Sequence, residues 1–199
     1  MDKRTEKLLT FLDASPSVSH AAANIETELK NAGFTRLDEA KQWELTPGGK
    51  YFVSRGGSAV LAFRIPAAAP KGFMMSTSHC DRPTFKGKEN GELGGTYTRL
   101  ATERYGGMFI STWLDRPLSI AGRVLVETEN GIESKLVNID RDLLLIPNVA
   151  IHMNRQVNVG YKGNPAVDTN CLLGGKASAG KLNALLEKEA GGKILGHDL

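Results

Sequence analysis

The sequence predicts an α/β protein in which a layered α/β segment is followed by a β-rich second domain. Roughly the first 84 residues hold two apolar helical stripes, a strand hairpin and an apolar strand, a set typical of the edge of an α/β layered domain. Beyond them, glycines punctuate short segments rich in Thr, Tyr and Phe, with few helical signals. We interpret this glycine-rich region as an inserted second domain.

Length and composition allow one domain or two small ones. The chain has 199 residues, of which 41% are hydrophobic and 24% charged, as in soluble globular proteins. The net charge of +3 is spread along the chain, so nothing favours a nucleic-acid partner. No apolar run approaches the ~20 residues that cross a bilayer, and the N-terminal residues do not resemble a secretory signal. We therefore expect a cytoplasmic protein with no nucleic-acid or membrane partner. The two cysteines lie in different contexts, which favours two free thiols in a reducing compartment.

Two helices are expected first. Apolar residues form a helical stripe over roughly 5–13, and a second stripe with i, i+4, i+8 and i+11 spacing covers 18–32, with Gly33 in position to end it. Ser15-Pro16-Ser17 separates the two helices, because proline lacks the backbone donor and clashes with a continuing helix. His20 lies near the start of the second helix, where we interpret it as a packing or capping residue rather than a metal ligand.

Three strands are expected next. The segments 50–54 and 58–65 predict a hairpin around Arg55-Gly56-Gly57. A loop rich in proline and alanine covers 66–72, and an apolar strand is predicted over 73–79.

The β-rich region contains one strong hairpin signal. Segments 120–127 and 132–137 flank Glu129-Asn130-Gly131, and Asn-Gly tolerates positive φ. Further strands are predicted over 109–113 and 143–146. The glycines of this region fit no phosphate-binding motif, so we interpret them as turn residues.

The last forty residues predict a loop, a helix and a strand. The polar, glycine-rich stretch 158–180 is expected to be an exposed loop. A helix over 181–190 is expected to begin at a Ser178 cap and to end at Gly191-Gly192, and 193–199 predicts the start of a strand.

The candidate site lies at the end of the predicted strand 73–79. Side chains two apart share a face of a strand, so His79 and Asp81 are expected on one side and Cys80 on the other. An imidazole with a carboxylate behind it suits a metal ligand whose ring tautomer is fixed by that carboxylate. An ordinary polar strand end is the competing interpretation, since His-x-Asp is common by chance.

A set of short motifs follows in order along nearly the whole chain: Ser15-Pro16-Ser17 with His20, Trp43-Glu44-Leu45, Pro47-Gly48-Gly49-Lys50-Tyr51, His79-Cys80-Asp81-Arg82-Pro83, Tyr105-Gly106-Gly107, Ser111-Thr112-Trp113-Leu114-Asp115-Arg116, Ala121-Gly122-Arg123-Val124, and Ile146-Pro147 with Ala150-Ile151-His152. Each motif is weak alone, but the ordered set resembles the aspartyl aminopeptidase family of dizinc exopeptidases. The resemblance covers only the N-terminal portion of that family's polypeptide chain.

The resemblance implies a three-layer, zinc-peptidase-like α/β catalytic domain interrupted by a β-rich dimerisation domain. Residues 1–84 would be the first catalytic segment, 85–194 the inserted dimerisation domain, and 195–199 the start of the strand that returns to the catalytic domain. The family's bridging Asp, its Glu-Glu pair and its later Asp and His ligands follow this point. We therefore expect the isolated 199 residues to be inactive.

The implied activity is release of N-terminal, preferentially acidic residues from peptides by water that two zinc ions activate. His79 corresponds to a zinc ligand and Asp81 to the catalytic-site carboxylate that orients it. His152 corresponds to a family histidine assigned to zinc or to substrate in an adjoining subunit, and substrate contact is the interpretation we favour. Self-association through the insert, as a dimer and in many relatives a dodecamer, is also implied.

Two positions depart from the family pattern, and two other functions stay open. Arg82 replaces a serine, where a guanidinium suits either binding a substrate carboxylate or repelling zinc. Cys80 replaces a threonine and raises the alternative of a Cys-His hydrolase, which adjacent strand residues disfavour because their side chains diverge. The other alternative is a non-catalytic oligomerisation or regulatory module of the same fold. Asp115 and Arg116 are interpreted as an ion pair or interface contact, and Trp113 as core.

Overall fold

The computed structural model describes residues 2–160 and 163–199 and divides the chain into two compact units. The division falls between Asp81 and Arg82, close to the predicted boundary after residue 84. The assignment of the two units to a catalytic segment and an inserted dimerisation domain stays a prediction. No helix in the described part of the chain is long and apolar enough to span a membrane.

The two N-terminal helices form as predicted. Helix α1 covers Lys3–Asp13 and begins where the Asp2 carboxylate accepts the first backbone N–H groups. Helix α2 covers Val18–Asn31, with Ser17 as its N-cap and Gly33 in the left-handed region at φ +78° just beyond its end.

A three-stranded sheet, in the order β1-β2-β3, completes the first unit. Strand β1 is only Thr35–Arg36 and runs parallel to β2, Lys50–Arg55, which pairs antiparallel with β3, Ala59–Arg64. Gly56 and Gly57 have positive φ and close the predicted hairpin. The centre of β2 is buried and forms the core of this unit.

The strand predicted over 73–79 does not form, so that prediction was wrong. Residues 65–83 are extended chain without helix or strand, and Phe73, Met74 and Met75 are almost fully exposed. A strand exists through hydrogen bonds to neighbouring strands, and no described residue pairs with residues 73–79. Apolar composition alone therefore did not decide its structure.

The second unit is built on a six-stranded sheet in the order β4-β5-β8-β7-β6-β9, in which all paired strands are antiparallel. The Asn-Gly hairpin is confirmed, with Thr128 opposite Gly131. The strands are β4 Thr84–Leu93, β5 Tyr97–Tyr105, β6 Pro117–Thr128, β7 Gly131–Leu145, β8 Cys171–Gly175 and β9 Ile194–Asp198.

The two outer strands of this sheet, β4 and β9, meet and curl the sheet towards a barrel. The Gly87 N–H donates to the Leu199 carbonyl at 3.1 Å, and the His197 N–H donates to a Glu89 carboxylate oxygen at 2.8 Å. Residues 194–198 form the predicted strand, but here they pair with β6 inside the second unit. Their assignment as a return strand to the catalytic domain stays a prediction.

Helix α4, Lys181–Ala190, covers one face of the sheet; α3 is the short Pro165–Asp168. Leu182 and Leu186 join a core cluster with sheet residues such as Val124 and Val137. The predicted Ser178 cap was wrong. Gly180 occupies the N-cap at φ +74°, and the Glu92 carboxylate accepts its N–H at 2.7 Å, which places negative charge at the helix N-terminus.

Three further local predictions differ from the structure. Residues 109–113 do not form a strand but contain a 3₁₀ turn, Ile110–Thr112, and have no strand partner. The apolar run 143–146 is the end of the long strand β7 rather than a strand of its own. The predicted loop 158–180 contains α3 and β8, because the buried Cys171 anchors β8 in the sheet core; residues 161 and 162 of that loop lie outside the described residues.

Candidate metal centre

The candidate metal ligand lies at the end of the extended segment 65–83. His79 is 90% exposed at its side chain, and Asp81, two residues later, is 35% exposed. The Nδ1 atom of His79 lies 2.8 Å from the Asp81 Oδ1 atom. The structure therefore brings these two predicted residues together although the strand expected to align them is absent.

This contact determines what the imidazole can offer. An ionised carboxylate only accepts hydrogen bonds, so a neutral His79 ring donates its Nδ1–H to Asp81. The proton then resides on Nδ1, and the Nε2 lone pair is available on the exposed side of the ring. A histidine held in this way is the usual form of a zinc ligand.

The pair fits one position of a zinc centre and no more. A catalytic zinc ion takes three protein ligands, with one position kept for water or substrate. Within residues 2–160 and 163–199 there is no group of three or more His, Cys, Asp or Glu side chains able to hold a metal ion. The described residues thus place one candidate zinc ligand beside its orienting carboxylate and do not group a full ligand set around it.

His152 lies in the second unit, in a turn that follows β7. The N–H groups of Met153 and Asn154 both donate to the Ala150 carbonyl, at 2.8 and 3.3 Å, and His152 is exposed on this turn. Its predicted role at zinc or substrate stays a prediction, because each unit is described by itself.

His20 and Cys80 have the structural roles that the sequence predicted, a packing or capping residue and a free thiol. The His20 Nδ1 atom lies 2.8 Å from the hydroxyl of the α2 cap Ser17, so this histidine belongs to a helix cap. Cys80 is a partly exposed free thiol, and none of the hydrogen bonds found in the described residues joins it to His79. Nothing in this geometry favours a Cys-His nucleophile.

Among the described residues the ion pair predicted for Asp115 and Arg116 is absent, whereas the alternative, an interface contact, stays a prediction. The described salt bridges do not include an Asp115–Arg116 pair: Arg116 reaches the Thr112 carbonyl at 3.4 Å, whereas Asp115 accepts the Asn148 N–H at 2.9 Å. Asp115 also has a positive φ of 56°, which few residues other than glycine adopt. Trp113 packs edge-on against Phe85 with ring centroids 5.2 Å apart and contacts the core, as predicted.

The sequence did not indicate that Asp115 connects to the chain that follows β7. The available signal was weak: Asp tolerates the left-handed region better than most residues, and Asp115 lies two residues before Pro117, where β6 begins.

Comparison with known proteins supports the resemblance inferred from the motifs. Residues 11–194 match the family model described as aminopeptidase I zinc metalloprotease (M18). The chain is 49% identical over 175 residues to the probable M18 family aminopeptidase 2 of Clostridium acetobutylicum, covering 85% of this chain and 40% of that relative. It is 42% identical over 178 residues to the protein of the same name in Clostridium novyi, covering 86% of this chain and 41% of the relative.

Solved structures give the same result for the fold. The structure of the Ape4 and Nbr1 complex superposes with a TM-score of 0.87 at 32% identity, over 96% of this chain and 42% of that chain. Chaetomium thermophilum mApe1 superposes with a TM-score of 0.86 at 28% identity, over 98% of this chain and 49% of that chain. The chain thus spans less than half the length of the proteins that it matches.

Proposed function

This chain belongs to the aminopeptidase I zinc metalloprotease (M18) family, and we propose that it forms the N-terminal part of a zinc metalloaminopeptidase. The proposed reaction is the release of N-terminal, preferentially acidic residues from peptides in the cytoplasm. The observation that carries the proposal is the His79–Asp81 contact, which lies inside the family match.

The proposed roles follow from the chemistry of the two side chains. His79 binds one zinc ion through Nε2, and Asp81 holds the ring in the required tautomer and orientation. Zinc, when bound with its remaining ligands, supplies Lewis-acid activation of the peptide carbonyl and of water. Since the described residues offer a single such imidazole, we propose that the 199 residues alone are inactive.

The second unit is proposed to mediate self-association and to present His152 to substrate in a neighbouring subunit. Leu125 pairs with Ser134 across β6 and β7, so Ile132 and Leu136 share its face of the sheet. These three apolar side chains are 41%, 66% and 41% exposed, respectively. An exposed apolar strip of this kind is typical of a surface that another subunit covers.

The acidic preference rests on the family resemblance together with one exposed cation. Arg82 directly follows the His79–Asp81 pair in sequence and is exposed. We propose that its guanidinium binds the substrate's acidic side chain, since Arg forms paired hydrogen bonds to carboxylates. Arg82→Ser is then expected to reduce the preference for glutamyl over alanyl substrates by about tenfold, the effect of one charge-assisted hydrogen bond.

The test uses the purified enzyme that carries this chain as its N-terminal part. We expect His79→Ala to lose zinc and to abolish the release of glutamate from a chromogenic aminoacyl substrate. Asp81→Asn is expected to weaken zinc binding by about 10- to 100-fold, because a residue that orients a metal ligand has that effect. His20→Ala, which changes a histidine in a helix cap, is the matched control and should keep both zinc and activity.

Two outcomes would count against the proposal. Full zinc content and activity in His79→Ala would remove His79 from the metal centre. An enzyme that assembles but neither binds zinc nor cleaves any aminoacyl substrate would favour the alternative of a non-catalytic oligomerisation module.

A further inference from the structure

Asp115 makes two hydrogen bonds to the chain on either side of Pro147. Its backbone N–H donates to the Ile146 carbonyl at 3.0 Å, and its Oδ1 atom accepts the Asn148 N–H at 2.9 Å. Proline has no N–H, so the backbone at Pro147 cannot continue the ladder of β7. Asp115 thus satisfies the two polar groups that flank this break. We call this pair of bonds the Asp115 clamp.

The unusual backbone conformation of Asp115 accompanies this geometry. At φ 56° its N–H and its carboxylate both reach the same short segment. Most non-glycine residues pay a steric cost in this region, and Asp and Asn tolerate it best. Alanine lacks both the tolerance and the acceptor, whereas asparagine keeps both.

The clamp is fixed to the core at one end. Ile146 is fully buried, and Leu114, next to Asp115, forms an isolated parallel bridge with it. The hydrogen bond from Asn148 to Asp115 therefore attaches Asn148 to the sheet core.

Two local hydrogen bonds lie along the chain between Asn148 and the end of the His152 turn, and the backbone of Val149 and Ala150 connects them. The Asn148 Oδ1 atom accepts the Val149 N–H at 2.8 Å, and the Ala150 carbonyl accepts the Met153 N–H at 2.8 Å. His152 lies within that last turn. The turn is exposed, so bonds of this kind rather than burial hold its backbone in place.

We propose that Asp115 is a positioning residue for His152: its clamp fixes the start of the turn and thereby the place from which the imidazole reaches substrate. The inference rests on the proposed function, because the role of His152 is itself proposed there. Asp115 contacts neither substrate nor metal in this scheme and acts only through the turn.

The functional test is a double-mutant cycle in the enzyme that carries this chain. We expect Asp115→Ala to lower kcat/KM by about tenfold, which is the effect of losing one hydrogen bond to a charged group. Asp115→Asn is expected to restore most of that loss. In a His152→Ala background, Asp115→Ala is expected to cause no further loss, because its effect passes through His152.

A structural test applies to the 199-residue chain itself. Arg155 follows the His152 turn and is exposed, so trypsin cleavage after it reports on opening of the turn. Asp115→Ala is expected to accelerate this cleavage about tenfold, by the same loss of one bond, with Asp115→Asn near the original rate. Cleavage after Lys71, in the extended segment of the first unit, is the internal control and should not change.

The outcomes separate this inference from the proposed function. An active His152→Ala enzyme would overturn the proposed role of His152 and, with it, the functional half of this inference. A damaged His152→Ala enzyme with normal Asp115→Ala activity would overturn the positioning role alone. Equal losses from Asp115→Ala with and without His152 would show a general structural effect and also overturn it. Unchanged cleavage after Arg155 would show that the clamp does not hold the turn.

Discussion

Of two apolar stretches in this chain, one forms a buried strand and the other is exposed and forms no strand. In β6, Ile120, Val124 and Val126 are buried and pair with β7 on one side, and Val124 and Val126 also pair with β9 on the other. Residues 73–75, Phe-Met-Met, are nearly fully exposed and have no strand beside them in the described chain. The difference shows that an apolar stretch becomes a strand only where partners satisfy its backbone groups.

The two proposed functional histidines also lie on segments that are held in different ways. The proposed zinc ligand His79 lies on the segment with few stabilising contacts, whereas the proposed substrate residue His152 lies on a turn attached to the sheet core. Weakly held segments open at low free-energy cost, and functional residues often lie on them. Four measurements test how far the two regions differ.

The largest expected difference is in amide hydrogen exchange. The amides of Val124 and Val126 should exchange at least about a thousandfold more slowly than those of Met74 and Met75, because the former require unfolding of a unit several kcal/mol stable. Exchange resolved by NMR on the 199-residue chain measures this ratio. Comparable protection in both stretches would show that 73–79 forms a strand in solution after all.

The second difference is the cost of truncating an apolar side chain. Leu186→Ala removes a fully buried side chain between α4 and the sheet and should cost about 3 kcal/mol of unfolding free energy. Met74→Ala, at a fully exposed position, should change it by less than about 0.5 kcal/mol. Urea unfolding measures both costs. Trp113 fluorescence in a Trp43→Phe background reports on the second unit, which holds Leu186, and Trp43 fluorescence in a Trp113→Phe background reports on the first unit, which holds Met74. Similar costs for both variants would contradict the comparison.

The third measurement concerns the close approach of β9 to β6. A Cβ atom at Gly122 would overlap the backbone of Asp198 and Leu199, so Gly122→Ala should cost about 2 kcal/mol by pushing β9 away. Gly94→Ala is the matched control, since nothing lies within 4 Å of a Cβ there and its φ is not in the left-handed region. If both variants unfold at the same urea concentration as the original chain, the close approach of β9 is not important for stability.

The smallest expected effect is a pH dependence caused by Cys171. Burial raises the pKa of the Cys171 thiol from its ordinary 9.0 to about 11. The unfolded chain therefore loses this proton first, and the thiol's contribution to stability is present below pH 9 and is lost as the pH rises towards 11. Between pH 8 and pH 10 the expected loss is about 1 kcal/mol.

Urea unfolding at the two pH values measures this loss, with each cysteine replaced in turn. Cys171→Ala should remove the pH dependence, whereas Cys80→Ala, in the extended segment, should retain it. The same contrast is expected at pH 8 in thiol labelling, where Cys80 should react at once and Cys171 only on unfolding. Rapid labelling of both thiols in the folded chain would contradict the burial of Cys171.

The elements that the sequence predicted correctly are those that depend on residues close together in the chain. Helices α1 and α2, the Gly33 end of α2 and the two hairpin turns depend on residues within a few positions of one another, and all were predicted. The strand at 73–79 and the 3₁₀ turn at 110–112 were mispredicted, because the presence or absence of a distant partner decided them.

The site divides in the same way. The His79–Asp81 contact joins residues two apart and was predicted from the alternation of side chains along a strand, although that strand does not form. The Asp115–Asn148 bond joins residues 33 apart, and neither residue carries a signal of the other. Whether His79 and His152 act on one substrate depends on residues even farther apart in the sequence, and no local sequence pattern encodes that.

The junction of β4 with β9 also bears on how this protein is made. Glu89 and His197, which bond across it, are 108 positions apart. During synthesis the N-terminal helices can form while the ribosome is still translating, but β4 must wait with one edge unpaired until β9 leaves the exit tunnel. At about 5–20 residues per second that interval lasts on the order of ten seconds, during which the nascent edge is open to chaperones or to the wrong neighbour.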